Sequence, residues 1–265
     1  MNDSRPIGVF DSGLGGLCAV RELRRLLTEE DIVYFGDTGR VPYGTKSPET
    51  IKQYAREDAD FLLSKDVKLA LAACGTVSAV ALDELKRDFP VPLFGVIEAA
   101  VDAAVRAARS SVAVIGTDAT IKSGIYEKKL REKGCTDVIS RACPLFVPLV
   151  ECGFTAQDNE LTRGVAEMYL CDIKNSRADT LILGCTHFPI ISDIIGDVLP
   201  NVTLIDPAKE AAATVAAYIR ENRVGSNGGK TEYFVSDDAE SFSASAKIFL
   251  GTDEKINASV VKTQR

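Results

Sequence analysis

Several features that would place this chain of 265 residues in a common class are missing from its sequence. No apolar run reaches the roughly 18 residues that a membrane-spanning helix needs. The polar start from Met1 to Pro6 leads directly into a predicted strand, so we expect no signal peptide. The formal net charge of −7 argues against a nucleic-acid-binding surface, and it favours small-molecule or protein partners.

Metal-binding patterns are also scarce. His187 is the only histidine, and no two of the seven cysteines have the C-x-x-C spacing of a zinc or redox motif. An odd number of cysteines without regular spacing is typical of free thiols in a reducing cytoplasm. We therefore expect a cytoplasmic protein that holds no metal.

What the sequence does contain is a regular alternation of predicted strands and helices. Short apolar strands alternate with amphipathic helices almost throughout, and this pattern predicts an α/β fold with mostly parallel sheets. It includes one helix from Val77 to Asp88 and another from Ser123 to Glu132. The same order of elements in both halves suggests two similar, pseudo-symmetric α/β domains with an active site in the cleft between them. We expect one domain to comprise residues 1–97 plus 208–265 and the other 98–207.

Two short segments, each centred on a cysteine, have matching surroundings. Cys74 lies within Leu71 to Thr76, and Cys185 lies within Leu183 to His187. Each segment follows an apolar strand and precedes a predicted helix, so both thiols are expected at the carboxyl ends of parallel strands, where α/β sheets bind ligands. Most buried cysteines are inert, but two in matching positions near helix N-termini indicate acid–base chemistry.

The turn from Asp11 to Gly16, after the first predicted strand, has two interpretations. Its backbone N–H groups could hold a phosphate or a substrate carboxylate. Alternatively, Asp11 or Ser12 simply caps the following helix. The turn is not G-x-G-x-x-G and lacks the lysine of a P-loop, so a nucleotide site is disfavoured.

Other candidate site residues also follow predicted strands. His187 comes two residues after Cys185, which favours proton transfer or substrate contact over a surface role. The loop Pro42-Tyr43-Gly44 is either a plain turn or a segment that covers a ligand. Glu151 follows the apolar run Leu145 to Val150. It is either a solvated charge at the end of a strand or an acid inside the cleft. Thr117 and Thr120 are candidate helix caps or carboxylate donors.

Motifs in this order resemble the cofactor-independent aspartate/glutamate racemase family, over nearly the whole chain. The residue after the second Cys-Thr is usually acidic in aspartate racemases, so His187 favours the glutamate racemase branch. The motifs are Pro6-Ile7-Gly8-Val9-Phe10-Asp11-Ser12-Gly13, Gly36-Asp37-Thr38, Pro42-Tyr43-Gly44, Ala73-Cys74-Gly75-Thr76, Val114-Ile115-Gly116-Thr117, Cys143-Pro144-Leu145 and Leu183-Gly184-Cys185-Thr186-His187.

The resemblance implies a specific reaction, the interconversion of L- and D-glutamate without a cofactor, to supply D-glutamate for peptidoglycan. It implies that Cys74 and Cys185 act on opposite faces of the substrate Cα, one removing the α-proton and the other returning a proton. By the same resemblance, Asp11 and His187 would help the thiols to exchange protons, and Glu151 would assist His187.

The resemblance also implies a substrate-binding set and a homodimer. One residue departs from the family pattern, because Gly75 stands where asparagine is common, so one amide contact is lost while the backbone N–H remains. The implied substrate-binding residues are Asp11, Ser12, Tyr43, Gly44, Gly75, Thr76, Thr120, Thr186 and His187.

Other functions stay open at this point. The chain could racemise another small amino acid or a hydantoin. It could also have a protein-binding role, since some racemases of this family inhibit DNA gyrase. A redox or zinc function would predict a disulfide between Cys74 and Cys185, or a bound metal.

Overall fold

The computed structural model describes residues 3–222, 224–225, 228–252 and 256–262, and within these ranges the chain forms two parallel sheets. The first sheet has six described strands, in the spatial order β10 (Ala258–Val260), β9 (Thr231–Val235), β2 (Ile32–Gly36), β1 (Ile7–Asp11), β3 (Leu69–Ala72) and β4 (Leu93–Gly95). The second sheet has four, in the order β6 (Val138–Ala142), β5 (Ser111–Gly116), β7 (Ala178–Leu183) and β8 (Thr203–Ile205).

Helices connect the strands and cover the sheets. They are α1 (Leu17–Leu26), α2 (Pro48–Ser64), α3 (Gly75–Val80), α4 (Leu82–Asp88), α5 (Val96–Ala107), α6 (Asp118–Lys122), α7 (Ile125–Glu132), α8 (Phe146–Glu151), α9 (Glu160–Lys174), α10 (Ser192–Val198), α11 (Pro207–Asn222) and α12 (Ala239–Leu250). Short 3₁₀ helices lie at Thr38–Arg40, Tyr43–Thr45 and Phe188–Ile191.

The central strands are buried on both faces, which explains their continuous apolar sequences. Every residue of β1, β2, β3 and β5 is buried, as expected for parallel strands covered by helices on each side. The predicted α/β class with parallel sheets is confirmed. The start of α2 is also as predicted, because the Ser47 side chain accepts a hydrogen bond from Thr50 N and Pro48 occupies the first turn.

Three local predictions are wrong. The stretch from Val77 to Asp88 is two helices, because the chain breaks at Ala81, where φ is −117° and ψ is −22°. The helix predicted from Ser123 begins only at Ile125, because Gly124 adopts a left-handed φ of +66°. The run ending at Glu151 is helix α8 and not a strand, since periodicity cannot distinguish helix from strand in so short an apolar run.

One strand was not predicted at all. β6 is the edge strand of the second sheet, and each of its residues is only partly buried. Its sequence, Val-Ile-Ser-Arg-Ala, mixes apolar and polar residues and does not form the continuous apolar run by which the buried strands were predicted. Among the described helices, none is both long enough and apolar enough to cross a bilayer.

The two sheets draw on separate parts of the sequence. Described strands of the first sheet come from residues 7–95 and 231–260, and those of the second come from 111–205. Helix α11 packs against both α1 and α5. We refer below to the elements associated with the first sheet as the first half and to residues 111–205 as the second half.

Candidate active site

A cavity of about 320 Å³ lies where the strand ends of the two halves meet. Most of the predicted site residues line it, so residues far apart in sequence share one enclosed space. The first half contributes Ser12, Gly13, Val41, Pro42, Tyr43, Gly44, Thr45, Cys74, Gly75 and Thr76. The second half contributes Thr117, Asp118, Pro144, Val147, Pro148, Glu151, Cys185, Thr186 and His187.

The two cysteines enter this cavity from opposite halves. Cys74 follows β3 and is the N-cap residue of α3, and Cys185 follows β7 by two residues. Both are buried free thiols. Cys74 Sγ lies 3.6 Å from Ser12 Oγ. Burial raises the pKa of Cys74 to about 12, and the nearby charge of Asp11 contributes in the same direction.

Cys185 belongs to a polar chain in the second half. Its Sγ lies 3.9 Å from His187 Nδ1, and His187 Nε2 lies 3.0 Å from Glu151 Oε1. Burial alone would lower the pKa of His187, but the hydrogen bonds with Cys185 and Glu151 outweigh it and raise the pKa to about 10. The ring is therefore a proton donor held between an acidic side chain and a thiol.

Asp11 lies behind the cavity wall and is completely buried. Its Oδ2 accepts a hydrogen bond from Gly13 N at 3.0 Å, and Oδ1 has no partner among the described residues. Burial raises the pKa of this carboxyl. The N-cap of α1 is Gly16, without a side-chain cap, so the alternative in which Asp11 or Ser12 caps this helix is wrong.

Threonine hydroxyls form a chain along the cavity wall. Thr76 Oγ1 lies 3.0 Å from Thr117 Oγ1, which in turn lies 3.0 Å from Thr120 Oγ1. Thr117 lines the cavity and caps α6, whereas Thr120 is buried behind it. Thr120 can therefore influence a ligand through Thr117 but does not itself form the wall.

The hydroxyl of Tyr43 is occupied by two buried carboxyls. It donates to Asp37 and also lies 3.0 Å from Asp58 Oδ2, while Arg40 pairs with the same two side chains at 2.6 and 3.2 Å. Burial and the charge of Asp37 raise the pKa of Asp58 well above its usual range. Sequence reasoning missed Arg40 and Asp58, and only Asp37 lay in a recognised motif.

No group of three or more histidine, cysteine or acidic side chains in the described ranges has a geometry suited to a metal ion. What the cavity does provide is two thiols, an imidazole and several hydroxyls around a space of amino-acid size. This set can move protons and bind a small polar molecule.

Comparison with known proteins shows which family the chain belongs to. The sequence model of the Asp/Glu/Hydantoin racemase family matches residues 18–215, about three quarters of the chain. The chain belongs to this family. Glutamate racemase from Geobacter metallireducens is 45% identical over 253 residues, with 93% of each chain covered. Glutamate racemase from Aquifex aeolicus is 44% identical over 248 residues, covering 93% of this chain and 94% of the relative.

Solved structures of the family have the same architecture. Glutamate racemase from Francisella tularensis, in complex with D-glutamate, is similar with a TM-score of 0.92 and 38% identity, over 98% of both chains. The Thermus thermophilus enzyme, in complex with β-chloro-D-alanine, is similar with a TM-score of 0.89 and 40% identity, over 99% of this chain and 98% of that one. The two-sheet arrangement is therefore that of the family.

Proposed function

We propose that this protein is a glutamate racemase that interconverts L- and D-glutamate by proton transfer at Cα, with Cys74 and Cys185 as the two acid–base groups. The observation that carries the proposal is that two thiols from opposite halves face one cavity of amino-acid size. The relatives at 40–45% identity over more than nine-tenths of the chain support glutamate as the substrate.

Inversion of a stereocentre needs a base on one face and an acid on the other. One thiolate takes the α-proton and becomes a thiol, and the electron pair of the broken C–H bond stays on the substrate as a carbanion. The opposite thiol then gives its proton to the other face and becomes a thiolate. The reverse reaction exchanges the roles, so two equivalent residues suit it. Without a cofactor, hydrogen bonds and exclusion of water must stabilise the carbanion.

The polar side chains near each thiol suggest which residue would exchange protons with it. His187, held by Glu151, would exchange protons with Cys185, to which it is hydrogen-bonded. Asp11 lies close enough to Cys74 for its charge to affect the pKa of that thiol. It would exchange protons with Cys74 as His187 does with Cys185. The two halves would thus supply one thiol and one proton-exchanging partner each.

The substrate's carboxylates and ammonium group would be bound by polar groups around the thiols. Since the hydroxyl of Tyr43 is engaged with Asp37 and Asp58, we expect this residue to act through its ring and backbone. The proposed set is Asp11, Ser12, Tyr43, Gly44, Gly75, Thr76, Thr120, Thr186 and His187.

The remaining proposals concern the cellular setting and assembly. We propose that the enzyme supplies D-glutamate for peptidoglycan, works in the cytoplasm as a homodimer, and binds no nucleic acid. We also propose two domains, residues 1–97 plus 208–265 and residues 98–207. This division is supported by the strands, because β1 to β4, β9 and β10 form one sheet and β5 to β8 form the other.

Substrate identity can be tested with the unmodified enzyme. L-Glutamate, D-glutamate and L-aspartate are each incubated in D₂O, with circular dichroism to follow inversion and proton NMR to follow α-deuteration. We expect inversion and deuteration of both glutamate enantiomers, and at least a hundredfold slower reaction of aspartate, whose shorter chain cannot place both carboxylates. No α-proton exchange with glutamate would contradict the proposal, and faster reaction of aspartate would reassign the substrate.

A further inference from the structure

The imidazole of His187 in the second half is in contact with two residues of the first half, Gly15 and Phe249. A Cβ atom at position 15 would lie only 2.8 Å from His187 Nδ1 and 2.0 Å from Thr186 Oγ1. The ring of Phe249 meets the imidazole nearly at right angles, at 82°, with 5.2 Å between the ring centroids. We call Gly15 and Phe249 together the cross-cleft contact.

Contact, and not backbone conformation, explains the glycine at position 15. Its φ lies outside the left-handed region, so other residues could adopt its backbone geometry. Gly124 is the opposite case, because its φ is +66° and nothing lies near the place of its missing Cβ. At Gly15 the missing side chain is what lets the backbone reach Thr186 and His187.

Both residues of the cross-cleft contact are firmly attached to the first half. The carbonyl of Gly15 accepts a hydrogen bond from Cys18 N at 3.1 Å, in the first turn of α1. The carbonyl of Phe249 accepts one from Arg21 Nη1 at 3.2 Å, also on α1. Phe249 is fully buried near the end of α12. Helix α1 therefore holds both residues in place relative to the cavity.

The contact falls on the side of the imidazole that matters for proton exchange. Nδ1 is the nitrogen nearest to Gly15, and it is also the nitrogen that lies 3.9 Å from Cys185 Sγ. The other nitrogen, Nε2, is bound by Glu151 within the second half. Displacement of the ring at Gly15 would consequently change its distance to Cys185 first.

We propose that Gly15 and Phe249 are positioning residues, which hold the His187 ring against Cys185 from across the cleft. The His187–Cys185 hydrogen bond then depends on close contact between the two halves. The consequence for turnover rests on the proposed racemase function, whereas the positioning itself does not.

The experiment compares Gly15→Ala with the unmodified enzyme. Because His187 is the only histidine, protein made without a histidine tag gives a single set of imidazole NMR signals, which can be followed against pH. We expect Gly15→Ala to lower the pKa of His187 from about 10 towards its ordinary value of about 6.5, and to lower kcat roughly tenfold or more with a smaller change in KM.

Gly8→Ala is the matched control. Its new Cβ would meet Leu62 Cδ1 at 2.9 Å, about as close as the 2.8 Å contact with His187 Nδ1 at position 15, and this contact lies wholly within the first half. We expect Gly8→Ala to lower thermal stability without a change in the His187 titration or in kcat. If Gly15→Ala does not fold, Phe249→Leu serves instead, because it keeps the site apolar while removing the aromatic contact.

Each result has a distinct meaning. A lower pKa of His187 in Gly15→Ala or Phe249→Leu, but not in Gly8→Ala, supports the proposal. An unchanged histidine titration and kcat in Gly15→Ala, or an equal shift in Gly8→Ala, overturns it. If the unmodified enzyme fails to racemise glutamate, the proposed function is wrong, but the histidine titration still tests the positioning.

Discussion

At the scale of single residues, the two thiols are alike in burial but differ in their partners. Cys74 faces the hydroxyl of Ser12, and burial raises its pKa to about 12. Cys185 faces an imidazole whose own pKa is raised to about 10. A symmetric reaction would thus be carried out by thiols in unlike surroundings, one near a buried carboxyl and one near a histidine.

The raised pKa of His187 has a consequence for stability. A folded-state pKa above the unfolded value means that the folded protein holds this proton more tightly, so the stabilisation is complete below about pH 6.5. It declines as pH rises above that value and is lost once pH passes about 10.

Urea unfolding of the unmodified protein and of His187→Gln, at pH 6 and at pH 10, measures this effect. We expect the difference in unfolding free energy between the two proteins to be larger at pH 6 and to shrink towards pH 10. A difference that is independent of pH, or that grows with pH, would show that the imidazole is not held in its charged form.

The location of a side chain could be predicted from sequence where a motif fixes both residue type and strand-end position. Cys74, Cys185 and His187 were chosen in this way, and all three line the cavity. The burial of Thr120 behind Thr117 could not be predicted from sequence, because both residues follow the same strand and only the folded structure shows which of them lines the cavity. The carboxyl of Asp58 comes from helix α2, outside any strand-end motif, so nothing in the sequence linked it to Tyr43.

At the scale of elements, the clearest signals were the buried strands and the helix caps. β1 and β5 contain the apolar runs Ile7–Phe10 and Val112–Ile115, because helices cover both of their faces. Edge strand β6 lacks that burial and was missed. The division between α3 and α4 was missed as well, because Ala81, where the helix breaks, is itself a good helix former.

The side-chain cap at the start of α2 predicts how a substitution of Ser47 changes stability. In Ser47→Ala the N–H of Thr50 loses its side-chain acceptor, which costs about 1 kcal/mol of unfolding free energy. Since Ser47 does not line the cavity, we expect kcat to stay within about twofold of the unmodified value. Urea unfolding and steady-state kinetics measure both quantities.

Ser47→Asp is the matched control, because aspartate is an equally good N-cap residue and should retain the stability. Equal losses of stability in Ser47→Ala and Ser47→Asp would contradict the capping role.

At the scale of the whole molecule, the site exists only where two halves meet. The sequence alternation predicted two α/β units, but the closeness of their contact could not be predicted from it. The backbone of Gly75 lies against the backbone carbonyl of Gly184, and that of Gly15 lies against the side chain of Thr186. At both places a glycine lets the first half approach the second closely. A Cβ at Gly75 would lie 2.6 Å from that carbonyl oxygen, so the departure from the family's asparagine coincides with a tight contact between the two cysteine segments.

The central claim is that one thiol from each half acts on opposite faces of Cα. Its most direct test is the activity of Cys74→Ser and Cys185→Ser, because serine keeps the shape of the side chain but is a far weaker acid. In each variant we expect racemisation of both enantiomers to fall at least about a thousandfold. Elimination of HCl from a β-chloro substrate, which needs proton removal on one face only, should persist for one enantiomer in each variant, and for opposite enantiomers in the two. Near-normal racemisation in either variant, or the same surviving enantiomer in both, would contradict the account.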